Sequence, residues 1–230
     1  MLNELKKDLG KLNNPEKAKI YARFFKTGKG EYGEGDIFIG ITVPEQRTIA
    51  KRYLALSLKE IEEILSSKIH EYRLTALLIL VERYKKNISE RKEIVNFYIT
   101  KLKYVNNWDL VDVSADKILG SYLMDKEKFM LYKLASSENV WERRIAIIST
   151  FYFIKKNKFE DTLKIAEILL NDKHDLIHKA VGWMLREVGK RNQDVEEEFL
   201  KKYYKLMPRT MLRYALEKFN KEKKEDYMKK

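Results

Sequence analysis

HKAVGWMLREVGK (178–190) reads as a helix with a small residue, Gly182, at its middle, and the chain repeats that design elsewhere. HEYRLTALLILVERY (70–84), NNWDLVDVSADKILG (106–120), ENVWERRIAIISTFYF (138–153) and PRTMLRYALEKF (208–219) carry Ala76, Ala115, Ala146 and Ala215 in the same role. With the small residues in register, successive spacings are 39, 31, 36 and 33 residues, the period of stacked helical repeats. The fold class is therefore all-α: a right-handed superhelical stack of about six helix pairs, an α-solenoid, with the second helices lining a basic concave face.

Local signals agree. Leu74, Leu77, Leu78 and Val81 in one helix, and Ile145, Ile148 and Tyr152 in another, follow the helical period and mark core stripes. Pro15, Pro44 and Pro208 each stand where a helix begins, because a proline in the first turn forfeits no hydrogen bond. Ser57-Leu-Lys-Glu60 is a capping box. No stretch alternates like a strand. We expect one domain over 1–219 and a short charged tail over 220–230.

The composition narrows the function. No apolar run is long enough to cross a membrane, the N-terminus is too polar for a signal peptide, and the absence of cysteine removes disulfides and thiolate metal sites. A cytoplasmic protein is expected, associated with the nucleoid when acting on DNA. Lys plus Arg number 47 against 35 Asp plus Glu, and the tail holds only five of the former and three of the latter. The excess belongs to the body of the protein and favours a polyanionic partner. His174 and His178 are four apart, but no glutamate lies between them in a metalloprotease arrangement, and no cofactor or metal is expected. Lys26–Asp36 packs Gly28, Gly30, Gly33 and Gly35 into one loop without the lysine–serine/threonine ending of a phosphate-cradling loop. It reads either as a plain connection or as a loop crossing a nucleic-acid backbone with its amides and Lys26 or Lys29.

Trp108, Asp112, Arg144 and Trp183 fall at −7, −3, −2 and +1 from their small residues, phases that parallel stacking aligns along one surface. Taken singly, each tryptophan reads as a packing residue and Asp112 as a partner of Arg143 or Arg144. Asp109 and Arg143 compete for the roles of Asp112 and Arg144. Trp141, at −5, lies on another face and is assigned to the core.

NNWDLVD (106–112), WERR (141–144), HKAVGWMLRE (178–187) and RTMLRYALEKF (209–219), with FKTGKGEYGEGDIFIGITVPEQR (25–47) upstream, together resemble the AlkD-like DNA alkylation repair enzymes. These are DNA glycosylases built from HEAT-like repeats, and the resemblance runs from about residue 20 to 219. It implies a catalytic role for Asp112, with Trp108, Trp183 and Arg144 contacting the substrate, and a distorted duplex bound without a base-binding pocket. The expected enzyme is a monofunctional alkylpurine glycosylase, a monomer, acting on double-stranded DNA that contains alkylated bases. Candidate phosphate contacts are Lys179, Arg186, Arg209, Arg213 and Lys29. The alternative is a non-catalytic helical-repeat module binding nucleic acid or protein through the same face.

Overall fold

The computed structural model describes residues 1–229, and these are all-α apart from an isolated parallel bridge between Ile37 and Ile69. The chain divides into two compact units, Met1–Ser114 and a second that starts at Ala115.

The first unit contains α1 (Leu2–Gly10), α2 (Pro15–Phe24), α3 (Val43–Ala50), α4 (Leu58–Leu65), α5 (His70–Lys86), α6 (Arg91–Thr100) and α7, which runs Trp108–Ala115. Short polar side chains set the helix starts. Asn14 accepts from the Lys17 amide ahead of Pro15, and Ser57 and Glu60 form the expected reciprocal cap. A second capping box, Thr42 with Glu45, frames Pro44, which stands at the second position of α3. Helix α5 is buried on most of its circumference, with His70, Glu71, Arg73 and Thr75 buried beside its apolar residues, and α3 and α4 pack against it. Leu74, Leu77, Leu78 and Val81 all lie in the core.

The second unit opens with a five-residue π-helical segment, Asp116–Gly120. It continues through α8 (Ser121–Leu123), α9 (Phe129–Ala135), α10 (Val140–Ser149), α11 (Phe151–Ile154), α12 (Glu160–Ile168), α13 (Asp175–Gly189), α14 (Gln193–Tyr203), α15 (Arg209–Ala215) and α16 (Lys221–Met228). Helix α10 packs on α9 and α13, and α13 on α12, α14 and α15, so α10, α13 and α15 follow one another as the second members of helix pairs. The small residues placed in register, Ala146, Gly182 and Ala215, are buried in these three helices. Gly182 is obligatory: a Cβ there would stand 2.4 Å from the Met211 carbonyl oxygen and 2.6 Å from the Tyr214 Cβ. Trp141 is in the core, as its phase predicts.

One local expectation needs adjustment. Pro208 caps α15 from outside, the helix beginning at Arg209. Residues 221–228 of the charged tail are helical, because Asn220 accepts from the Lys223 amide and Tyr227 packs edge-on against Tyr204 and Phe219.

Candidate active site

Helix α7 carries two of the candidate residues. Trp108 is its first residue and Asp112 lies one turn later on the same face, both half-buried. The Asn107 side chain accepts from the Trp108 amide at 2.8 Å, and Ser114 bonds the Leu110 carbonyl within the helix and meets the Tyr98 hydroxyl at 3.0 Å.

Asp109 is engaged differently. It is buried, accepts from the Leu110 amide and from Nε2 of His70, each at 2.8 Å, and so is committed to the protein interior. His70, the first residue of α5, donates from Nδ1 to Asp36 at 3.1 Å. Arg73 donates to the same Asp36 oxygen at 2.6 Å, which is why its terminal nitrogen also lies 3.2 Å from Nδ1 of His70. Burial disfavours a charge on His70, but the adjacent Asp109 carboxylate and the hydrogen bonds to Asp109 and Asp36 outweigh it and raise the imidazole above its ordinary value. Burial likewise opposes ionisation of Asp36, and the bonds from His70 and Arg73 still hold it below the usual carboxylate range. Two carboxylates, a guanidinium and an imidazole thus hydrogen-bond to one another in a buried cluster, the pairing that buried ionisable groups need in a low-dielectric site.

Aromatic rings link this cluster to Trp108. The indole stacks on Phe25 with centroids 5.1 Å apart and planes 11° from parallel, and Phe25 stacks on Phe38 at 4.9 Å and 20°. Phe38 in turn stacks on His70 at 4.6 Å and 23°. Phe25 and Phe38 also line an apolar cleft of about 360 Å³ together with Ile20, Tyr21, Phe24 and Val43. The segment after Phe38 is held by Glu71, whose buried carboxylate accepts from the amides of Ile39, Gly40 and Ile41 at 3.1, 2.8 and 3.4 Å. Gly40 has φ +82°, and a Cβ there would lie 2.1 Å from the Asn14 carbonyl oxygen, so both conformation and space require glycine.

In the second unit Arg144 of α10 is 5% exposed and donates to the Leu176 carbonyl, in the first turn of α13, at 2.6 Å. Its neighbour Arg143 is committed to structure, bonded to Asp172 at 2.6 Å and to the carbonyls of Ser137 and Glu138. Trp183 is half-buried on α13, its Nε1 donating to Glu187 at 3.2 Å and its ring tilted against Phe151. Of the candidate phosphate contacts, Lys179 pairs with Asp175 at 2.6 Å, Arg186 with Glu217, and Arg209 with the Met228 carbonyl. Arg213 is exposed beside the Tyr214 ring, and Lys29 is exposed in the glycine loop. The loop spends amides internally: Glu31 accepts from Gly28 and Glu34 from Gly30, at 2.9 and 2.8 Å.

His174 caps α13 by accepting from the Leu176 amide, and His178 donates to the Asp172 carbonyl. Among the described residues no group of three or more histidines and carboxylates is arranged to hold a metal ion, and no helix is long and apolar enough to cross a membrane.

No curated protein matches the chain. Solved structures that share its fold include the following three. A predicted DNA alkylation repair enzyme from Enterococcus faecalis superposes with TM-score 0.70 at 23% identity, covering 91% of this chain and 97% of that one. AlkD2 from Streptococcus mutans gives TM-score 0.61 at 20% identity, with 89% and 99% covered. The smu.31 protein of Streptococcus mutans UA159 gives 0.54 at 22%, with 77% and 92% covered. The family model described as DNA alkylation repair enzyme matches residues 5–219, nearly the whole length, and the chain belongs to that family.

Proposed function

We propose that the protein is a monofunctional DNA glycosylase that excises purines alkylated at N3 or N7, such as 3-methyladenine and 7-methylguanine, from duplex DNA. A purine alkylated at these positions already carries positive charge and departs as a neutral base, so no strong general acid is needed. What remains is to stabilise the developing oxocarbenium sugar and to deliver water. One ionised carboxylate does both, by its field and by orienting or deprotonating the water. Asp112 has that role. Trp108 and Trp183 contribute indole faces that attract a cationic nucleotide with about 0.5–2 kcal/mol each. Arg144, with Arg213 and Lys29 as further cations, binds phosphates of the same duplex.

The observation that supports this reading most directly is the division of labour on α7. Asp109 is buried against His70, whereas Asp112 is half-exposed on the face that carries Trp108. The deciding experiment is release of free alkylated base from methylated duplex DNA. Recovery of 3-methyladenine and 7-methylguanine, with no release from unmodified DNA, is expected. Unaltered methylated DNA after prolonged incubation would instead favour a repeat module that binds without chemistry.

A further inference from the structure

We propose that Phe25 is a positioning residue for Trp108, fixing the plane of the indole through a continuous ring stack that ends on His70. The inference rests on the reading of Trp108 as a substrate contact. It starts from the weakness of the other restraints on that ring. Trp108 stands at the first position of α7 and is only half-buried, so part of the ring borders solvent and its packing comes from few neighbours. Phe24 meets it edge-on at 5.9 Å and 75°, a geometry that permits sliding. Phe25 alone of these two neighbours meets it face to face.

A stack positions a ring only if its far end is fixed, and here each link is held by something different. Phe25 caps α2, and its carbonyl is closed over by Gly33, where a Cβ would stand 2.3 Å from that oxygen. Lys26, in the left-handed region at φ +52°, accepts from the Gly33 amide at 3.0 Å and turns the chain at that point. Phe38 is buried, and the segment after it is pinned by Glu71. His70 is locked by bonds from both ring nitrogens to two carboxylates. The glycine loop between residues 26 and 36 therefore has a structural purpose: it returns the chain so that Phe25 and Phe38 lie plane to plane. The indole is set before DNA arrives, so the ordering cost falls on folding and not on binding.

The test replaces Phe25 by leucine, which keeps apolar bulk and removes the ring face, and by tyrosine, which keeps the face. Protein labelled with 5-fluorotryptophan reports Trp108 directly in the absence of DNA, its 19F resonance being identified from the W108F variant. In F25L that resonance should move and broaden while those of Trp141 and Trp183 stay, and F25Y should retain the wild-type signal. On methylated duplex, F25L should slow single-turnover base release about tenfold with duplex affinity within about twofold, and F25Y should restore the rate. An unchanged Trp108 resonance in F25L, or equal rates for F25L and F25Y, would overturn the proposal. If wild-type protein releases no base, the glycosylase reading fails, and the fluorine spectra still decide whether Phe25 sets Trp108.

Discussion

Asp109 stands 2.8 Å from Nε2 of His70, and this bond separates two carboxylates that are three residues apart on one helix. It holds Asp109 in a buried cluster with His70, whereas Asp112, the other carboxylate of α7, is half-exposed on the face that carries Trp108. The two therefore differ in what their loss should damage.

Asp112→Asn preserves side-chain shape and removes the charge, so single-turnover excision of 3-methyladenine should fall by roughly 10²-fold or more, the scale of a lost transition-state electrostatic contact. Duplex affinity should stay level or rise slightly, since an anion has been removed. Asp109→Asn should act on stability, lowering it by about 3 kcal/mol because a partner of a buried ion pair is gone, while excision by folded protein changes less than fivefold. Chemical denaturation and single-turnover kinetics on both variants check this. Wild-type excision by the Asp112 variant would remove that residue from the mechanism.

Glu196 supplies a pH signature. Burial against α13 beside Gly189, with Glu197 adding to it, pushes its carboxyl up to about 8, although Arg186 pulls the other way. The folded state thus keeps a proton that the unfolded chain releases above its ordinary value of 4.5. Stability from this group is complete below 4.5 and declines as pH rises towards 8, by about 1.4 kcal/mol per unit where the difference is one full proton. Glu196→Gln cannot titrate, so the gap in unfolding free energy between variant and wild type should widen in the variant's favour between pH 5 and 8. A constant gap across that range would mean that Glu196 is ionised in the folded protein.

Gly182→Ala should destabilise by about 1–3 kcal/mol, the cost of overpacking, because the new methyl meets the α15 backbone at Met211. Trp183 is the next residue, so its fluorescence should shift in the folded variant. A melting temperature equal to wild type would show that α13 and α15 separate without penalty.

Binding to duplex DNA should weaken steeply with salt. Arg213→Ala should lower the slope of log affinity against log salt by about one, as expected for one lost phosphate contact. Lys179→Ala should do less than that, since removing it also frees the Asp175 carboxylate to which it is paired. Identical slopes for wild type and the Arg213 variant would take Arg213 out of the interface.

The repeat register was legible because small residues at helix crossings leave a periodic trace. Ala146, Gly182 and Ala215 are buried in consecutive second helices, and Trp141 falls in the core where its phase put it. Pairings between distant elements leave no such trace. His70 reads as one polar residue at the head of a helix, yet its partners lie 34 and 39 residues away. Glu71 looks like an exposed helical acid and is buried against three loop amides. Phe25 opens the string 25–47, but nothing in the spacing indicates that its ring faces an indole more than eighty positions on. Arg143, the competitor of Arg144 by sequence, is bonded to Asp172 and to the Ser137 and Glu138 carbonyls, whereas Arg144 reaches the Leu176 carbonyl, and the spacing of the string indicates neither partner set.

The cluster of Asp36, His70, Arg73 and Asp109 also constrains how this chain can diverge. Its pairing is a property of the four together, so a first substitution at any one of them strands an ion in the interior and incurs most of the damage. A second, compensating change then repairs it at little further cost. Such positions drift as a linked set, and a lineage that abandons one of them is driven to abandon its partner, passing through a fragile ancestor on the way.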